Sequence, residues 1–135
     1  MRPRLAAATA TAALLAAACT FRSNPGRRYV IPDHFHACIA IGLEVRGAKP
    51  LPRQGGFQLV EVTRAGQVFE TSDGPIQGQR VDEVWRRTPS GLRRTQDEDE
   101  PSGGWGSQKE GGTLYDVVCF GGGQDVTDLE FPFKR

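Results

Sequence analysis

A chain of 135 residues allows one domain, and 17 Lys plus Arg against 16 Asp plus Glu leave a net charge of +1, with no basic field for a nucleic-acid backbone. Hydrophobic residues make up 38%, mean hydropathy is −0.43, and Gly 17 with Pro 9 suit a turn-rich β domain. These values exclude a polytopic membrane protein, a coiled coil and a collagen-like repeat.

Residues 1–18, MRPRLAAATATAALLAAA, have the layout of a secretory signal peptide. Arg2 and Arg4 form a short positive region, and Leu5 to Ala18 is an uncharged run of 14 residues, too short to span a bilayer comfortably. An Ala-rich helix of the mature protein is the plain alternative, but it would have no polar face to turn toward water. Ala16-Ala17-Ala18-Cys19 resembles the lipobox of bacterial lipoproteins, which usually carries Leu where Ala16 stands, so ordinary small-residue cleavage competes with acylation of Cys19. Thr20, which is not Asp, favours the periplasmic face of the outer membrane if the host is Gram-negative. Acyl chains on Cys19 at about 0.8 kcal/mol per buried CH₂ would make the membrane a permanent partner. Residues 19–28 then read as the lipidated Cys and a tether, and residues 29–135 as a single β domain.

Along that domain Tyr29-Val30-Ile31 is a short β-prone run stopped by Pro32-Asp33. From Ala37 to Val45, apolar residues alternate with a period of two, the clearest strand signal in the chain. Residues 46–56 form a Pro/Gly loop. Phe57 to Val62 and Gln67 to Thr71 read as strands joined by a hairpin turn at Thr63–Gly66, and Arg80 to Thr88 and Gly91 to Thr95 as a second hairpin across Pro89-Ser90. Gln96 to Gly112 is polar and glycine-rich and reads as a loop, followed by a strong strand from Thr113 to Phe120. Many short strands and no 3.6-residue period predict an all-β fold: a small antiparallel β-sandwich of immunoglobulin or prealbumin type, or a partly open barrel.

Several of these segments together resemble a family of small bacterial exported or lipoprotein domains with a YVIPDGY-type opening. Tyr29-Val30-Ile31-Pro32-Asp33 with Phe35 matches the opening, Pro50-Leu51-Pro52 its loop, and Thr71-Ser72 its turn. Val84-Trp85-Arg86, Gly91-Leu92-Arg93, Gly104-Trp105-Gly106 and the strand 113–121 continue the likeness. His34 and Ala37 stand where the family has glycine. The resemblance implies export or lipid anchoring and supplies no catalytic residue.

The chemistry-bearing residues are few. His34 and His36, in Asp33-His34-Phe35-His36, would share one face of a strand, as metal ligands do, but two imidazoles fall short of the three or four ligands of a stable zinc site. Asp97 to Glu100 lacks the spacing of a calcium loop and reads as a solvated acidic segment. Arg86, Arg87, Arg93 and Arg94 flank one hairpin and read as dispersed surface charge, and Ser72 as part of a Ser/Asp turn cap. Gly121-Gly122-Gly123 opens no helix and so makes no phosphate loop. Trp85, Trp105 and Tyr115 form a possible aromatic binding patch, against the plainer reading of core packing. No catalytic, cofactor-binding or metal constellation emerges.

The sequence therefore reads as an envelope lipoprotein whose β domain acts by binding or structural association, with another envelope protein as the expected partner. The alternatives are an exported enzyme or metal protein using His34 and His36, and a periplasmic inhibitor or immunity-type lipoprotein. With Cys19 spent on lipid, Cys38 and Cys119 are left in an oxidising compartment, each inside a strand, and a bridge between them is expected. Two separate buried thiols are the alternative.

Overall fold

A computed structural model describes residues 24–95 and 102–121. Nine strands occupy them: β1 (Asn24–Pro32), β2 (Cys38–Leu43), β3 (Arg53–Gln54), β4 (Phe57–Glu61), β5 (Val68–Glu70), β6 (Arg80–Thr88), β7 (Gly91–Arg94), β8 (Ser102–Glu110) and β9 (Thr113–Cys119). They form a five-stranded sheet in the order β3-β4-β1-β6-β7 and a four-stranded sheet in the order β5-β2-β9-β8. The two sheets pack face to face without closing into a barrel, and no helix occurs among the described residues. The expected all-β sandwich is present. The expected signal-peptide helix falls on residues outside those described.

The expected antiparallel pairing needs correction, because both sheets are mixed. β1 runs parallel to β4 and to β6, and β2 runs parallel to β5. The chain crosses repeatedly from one sheet to the other, so these parallel neighbours come from separate visits to a sheet in the same direction rather than from hairpins. Thr63–Gly66 is such a crossing. It carries β4 of one sheet to β5 of the other, and Gly66 N–H and Ala40 N–H close the corner on Cys38 O and Gln67 O at 2.9 and 3.0 Å. The β6–β7 hairpin is present as expected.

Two loop readings also change. Residues 24–28 of the expected tether are the first half of β1, with Arg27 fully buried. Ser102 to Glu110, read as loop, pairs antiparallel with β9 across Gly111-Gly112. Glycine and polar side chains hide a strand whose stability comes from its backbone ladder.

Inward-facing Tyr29, Ile31, Val60, Val62 and Val84 of the larger sheet meet Ile39, Ile41, Leu43 and Val118 of the smaller one. Phe120 stands edge-on to Tyr29, ring centroids 5.2 Å apart, and Phe35 closes the end of the core 6.0 Å from Phe120. Arg27 shares this inward face. Its Nη1 donates to Asp116 Oδ2 of the opposite sheet at 3.0 Å and its Nε to Gln58 Oε1 at 3.2 Å, so one ion pair ties the two layers together.

The outward face of the smaller sheet carries a second buried cluster of Cys38, Ala40, Tyr115, Val117 and Cys119. Cys38 and Cys119 sit directly opposite each other in the β2–β9 ladder, Cα atoms 3.9 Å apart, and are joined by a disulfide. Beside them the Tyr115 ring lies across Gly42, where a Cβ would come within 2.8 Å of Cε1. The bare backbone at 42 lets the ring lie flat on its cross-strand neighbour.

Candidate functional site

One end of the sandwich collects the chemistry. There β1 ends at Pro32, β2 begins at Cys38, β6 turns into β7, and β9 runs out at Cys119. Asp33, His34, His36, Arg86 and Arg93 line an open cavity of about 200 Å³ at this end. Arg86 and Arg93 are cross-strand partners in the β6–β7 hairpin, so the register of that hairpin sets both guanidiniums side by side. Arg86 is 4% exposed and donates to Pro32 O at 3.4 Å and Phe35 O at 3.3 Å, which holds it under the 33–37 crossing. Arg93 is exposed at the mouth.

The two histidines differ. His34 occupies the left-handed region, φ 57°, and its ring lies out in solvent with Nε2 3.7 Å from Asp33 Oδ2. His36 is held by Gly121 O, 2.8 Å from its Nδ1. A carbonyl only accepts, so Nδ1 carries the proton and Nε2 is the nitrogen left for other work. Gly121, at φ 64°, makes room for that contact, because a Cβ there would collide with Nδ1.

His34 and His36 line one cavity, on the 33–37 crossing rather than on one face of a strand, with two arginines beside them, and no group of three or more His, Cys, Asp or Glu placed to hold a metal ion occurs among the described residues. Trp85 and Tyr115 of the expected aromatic patch do not meet. Trp85 lies on the outward face of the larger sheet and Tyr115 on the outward face of the smaller one, with the core between them. The Trp105 side chain lies outside the described residues, although its backbone belongs to β8. Trp85 Nε1 donates to Glu83 Oε1 at 3.3 Å, and Arg28 reaches the same oxygen at 3.0 Å. Burial of Glu83 opposes its ionisation, but these bonds outweigh it and hold the carboxyl below its ordinary value.

The Thr71-Ser72-Asp73 turn is structural, and its cap is built by Thr71 and Asp73 rather than by Ser72. Asp73 accepts from Leu51 N–H at 2.8 Å, from Thr71 Oγ1 at 2.8 Å and from Arg53 Nη2 at 2.8 Å, which fastens the Pro50-Leu51-Pro52 loop to the β5–β6 connection. The Arg53 hydrogen bond chiefly holds the Asp73 carboxyl down at about 2.

The sequence reading places Arg27 in the tether and Arg86 among dispersed surface charge, whereas both are buried. The signal that places them inside is parity, since Arg27 keeps step with Tyr29 and Ile31, and Arg86 with Val84.

No protein-family model matches the chain, and no curated protein matches it. A 2.75 Å crystal structure of a Bacillus anthracis protein, designated "putative lipoprotein", superimposes with a TM-score of 0.51 at 19% identity, covering 84% of this chain and 85% of that one. The two share a fold.

Proposed function

We propose that this chain is an exported envelope protein held to the membrane by a lipid on Cys19, and that its β-sandwich works as a binding module rather than an enzyme. The Cys38–Cys119 disulfide carries the reading. Both sulfurs are buried in the β2–β9 ladder, and disulfides of this structural kind persist in oxidising compartments outside the cytosol. The third cysteine, Cys19, follows the uncharged run 5–18 and three alanines, the place where an acylated cysteine stands in lipoproteins. The designation of the Bacillus anthracis structural neighbour is in keeping with this address. Removal of residues 1–18 takes away Arg2 and Arg4 and brings the net charge from +1 to −1.

Metabolic labelling with a fatty-acid analogue tests the anchor. Label on the wild type and none on Cys19→Ala is the expected result, and equal labelling of the two overturns the anchor. The binding role rests on the cavity at the His36 end, whose charged side chains suit recognition more than any arrangement of nucleophile and base.

A further inference from the structure

We infer that the Asn24 end of the sandwich is a docking surface for the lipid headgroups of the membrane that holds Cys19, and that the cavity end is turned away from that membrane. This rests on the lipid-anchor reading and adds to it the orientation of the domain, the surface that meets the lipid, and the side from which a partner reaches the cavity.

The reach of the chain decides it. Asn24 opens β1, and five residue steps separate it from Cys19. Whatever conformation they adopt, these steps span at most about 18 Å at roughly 3.6 Å each. β1 runs nine residues from Asn24 to Pro32, about 25 Å of strand, and the cavity lies beyond Pro32 at the 33–37 crossing. A domain inverted to put the cavity on the lipid would lift Asn24 further from the bilayer than the chain can follow.

Topology fixes what stands at the Asn24 end. β1 is the central strand of its five-stranded sheet, with two strands on either side, so the chain enters at the middle of this end and not along an edge. Asn24 pairs with Arg80, and the Gly55-Gly56 turn lies against Pro25. The ion pair of Arg27 with Asp116 brings the smaller sheet alongside. There β2 leaves at Leu43 toward Arg46 and Gly47, and β8 returns as β9 through Gly111-Gly112.

The chemistry of these turns suits headgroups. Gly47, Gly111 and Gly112 are exposed, and a Cβ on any of them would meet nothing within 4 Å, so lipid can approach the backbone closely. Arg46, Arg80 and Lys109 stand against Glu44, Asp82 and Glu110, an even balance that matches zwitterionic headgroups and repels neither their phosphate nor their ammonium. Val81, 48% exposed, sits beside the exposed Pro25 and offers an apolar side chain at the same level. Leu92, the other exposed large apolar side chain among the described residues, lies on the β6–β7 hairpin and faces the compartment with the cavity.

The test places the acylated protein, purified from its own cells and verified by mass, in phosphatidylcholine bicelles doped with a lipid whose headgroup chelates gadolinium. Paramagnetic relaxation of the backbone amides then reports distance from the headgroups. Gly55, Gly56, Gly111 and Gly112 should relax at least about tenfold faster than Ser90 and Gly91 of the β6–β7 turn, given the steep distance dependence across about 25 Å of strand. Inserting about ten Gly and Ser residues after Ser23 extends the reach to roughly 54 Å and should cut the difference below about threefold, with thermal unfolding unchanged. The Cys19→Ala chain, without a lipid, should show no gradient.

Acylated protein in which Ser90 and Gly91 relax as fast as the glycine turns, whether the domain is inverted or lies on its side, overturns the inference and leaves the anchor standing. The full difference persisting in the lengthened chain overturns the tether as its cause. Protein without the acyl mass overturns the anchor, and this arrangement with it.

Discussion

Replacing both Cys38 and Cys119 by alanine should lower stability chiefly through the unfolded chain. The bridge spans a sequence separation of 81 residues, for which loop-closure entropy gives about 4.5 kcal/mol at room temperature. That is an upper figure, since measured bridges more often contribute about 2–4 kcal/mol. The two residues are already cross-strand partners, so the ladder keeps its register when the sulfurs go, and the native state changes little. Against a total stability of roughly 5–15 kcal/mol the loss is a large share, and at this chain length it corresponds to a fall in Tm of about 8–20 °C. Thermal unfolding followed by circular dichroism, with and without reductant, measures it. A urea titration adds an independent sign: the bridgeless chain expands further when unfolded, so its m value should rise. An unchanged Tm together with an unchanged m value would refute the argument.

Cutting the inter-sheet ion pair with Asp116→Ala strands a fully buried Arg27 and should cost about 3–5 kcal/mol, reduced somewhat by the 21% exposure of Asp116, and read as a lower urea midpoint; a loss below about 1 kcal/mol would show that Arg27 does not depend on it. The Asp73 carboxyl, held at about 2 against an ordinary 3.8, binds its proton less readily folded than unfolded. Its contribution is therefore complete above pH 4 and lost as pH falls through about 2; allowing for the 47% exposure of Arg53, Asp73→Asn should cost about 1 kcal/mol near neutrality and little at pH 2 in chemical denaturation. His34→Gly relieves a left-handed backbone and should leave Tm within a few degrees, so a marked loss of stability would contradict the reading of φ 57° as strain. Elemental analysis of the purified protein should show no stoichiometric transition metal; one that disappears in His36→Ala would revive the metal alternative.

Much of the sandwich was legible because period-two alternation survives translation into three dimensions. Ala37 to Val45 became β2, Thr113 to Phe120 became β9, and the bridge expected between Cys38 and Cys119 joins the two. Pairing direction was not legible. A four-residue turn such as Thr63–Gly66 reads as a hairpin whether it returns to its own sheet or crosses to the other, because local turn chemistry is the same in both. β8 was invisible since its ladder is made by backbone groups that Gly and Ser supply as well as Val does. At the candidate site the two histidines stood out as an H-x-H pair but were given no role, because two imidazoles fall short of a metal site. Arg86 and Arg93 were seen but assigned to dispersed surface charge, because nothing local shows that the β6–β7 register would face them into the cavity beside the 33–37 crossing.

The most direct test of the account is the intact mass of the protein taken from its own cells, alkylated without reduction. The account predicts a chain that begins at an acylated Cys19 and takes up no alkyl group, with Cys38 and Cys119 joined. A chain that still begins at Met1 and carries alkyl groups on all three cysteines would contradict export, anchor and bridge together.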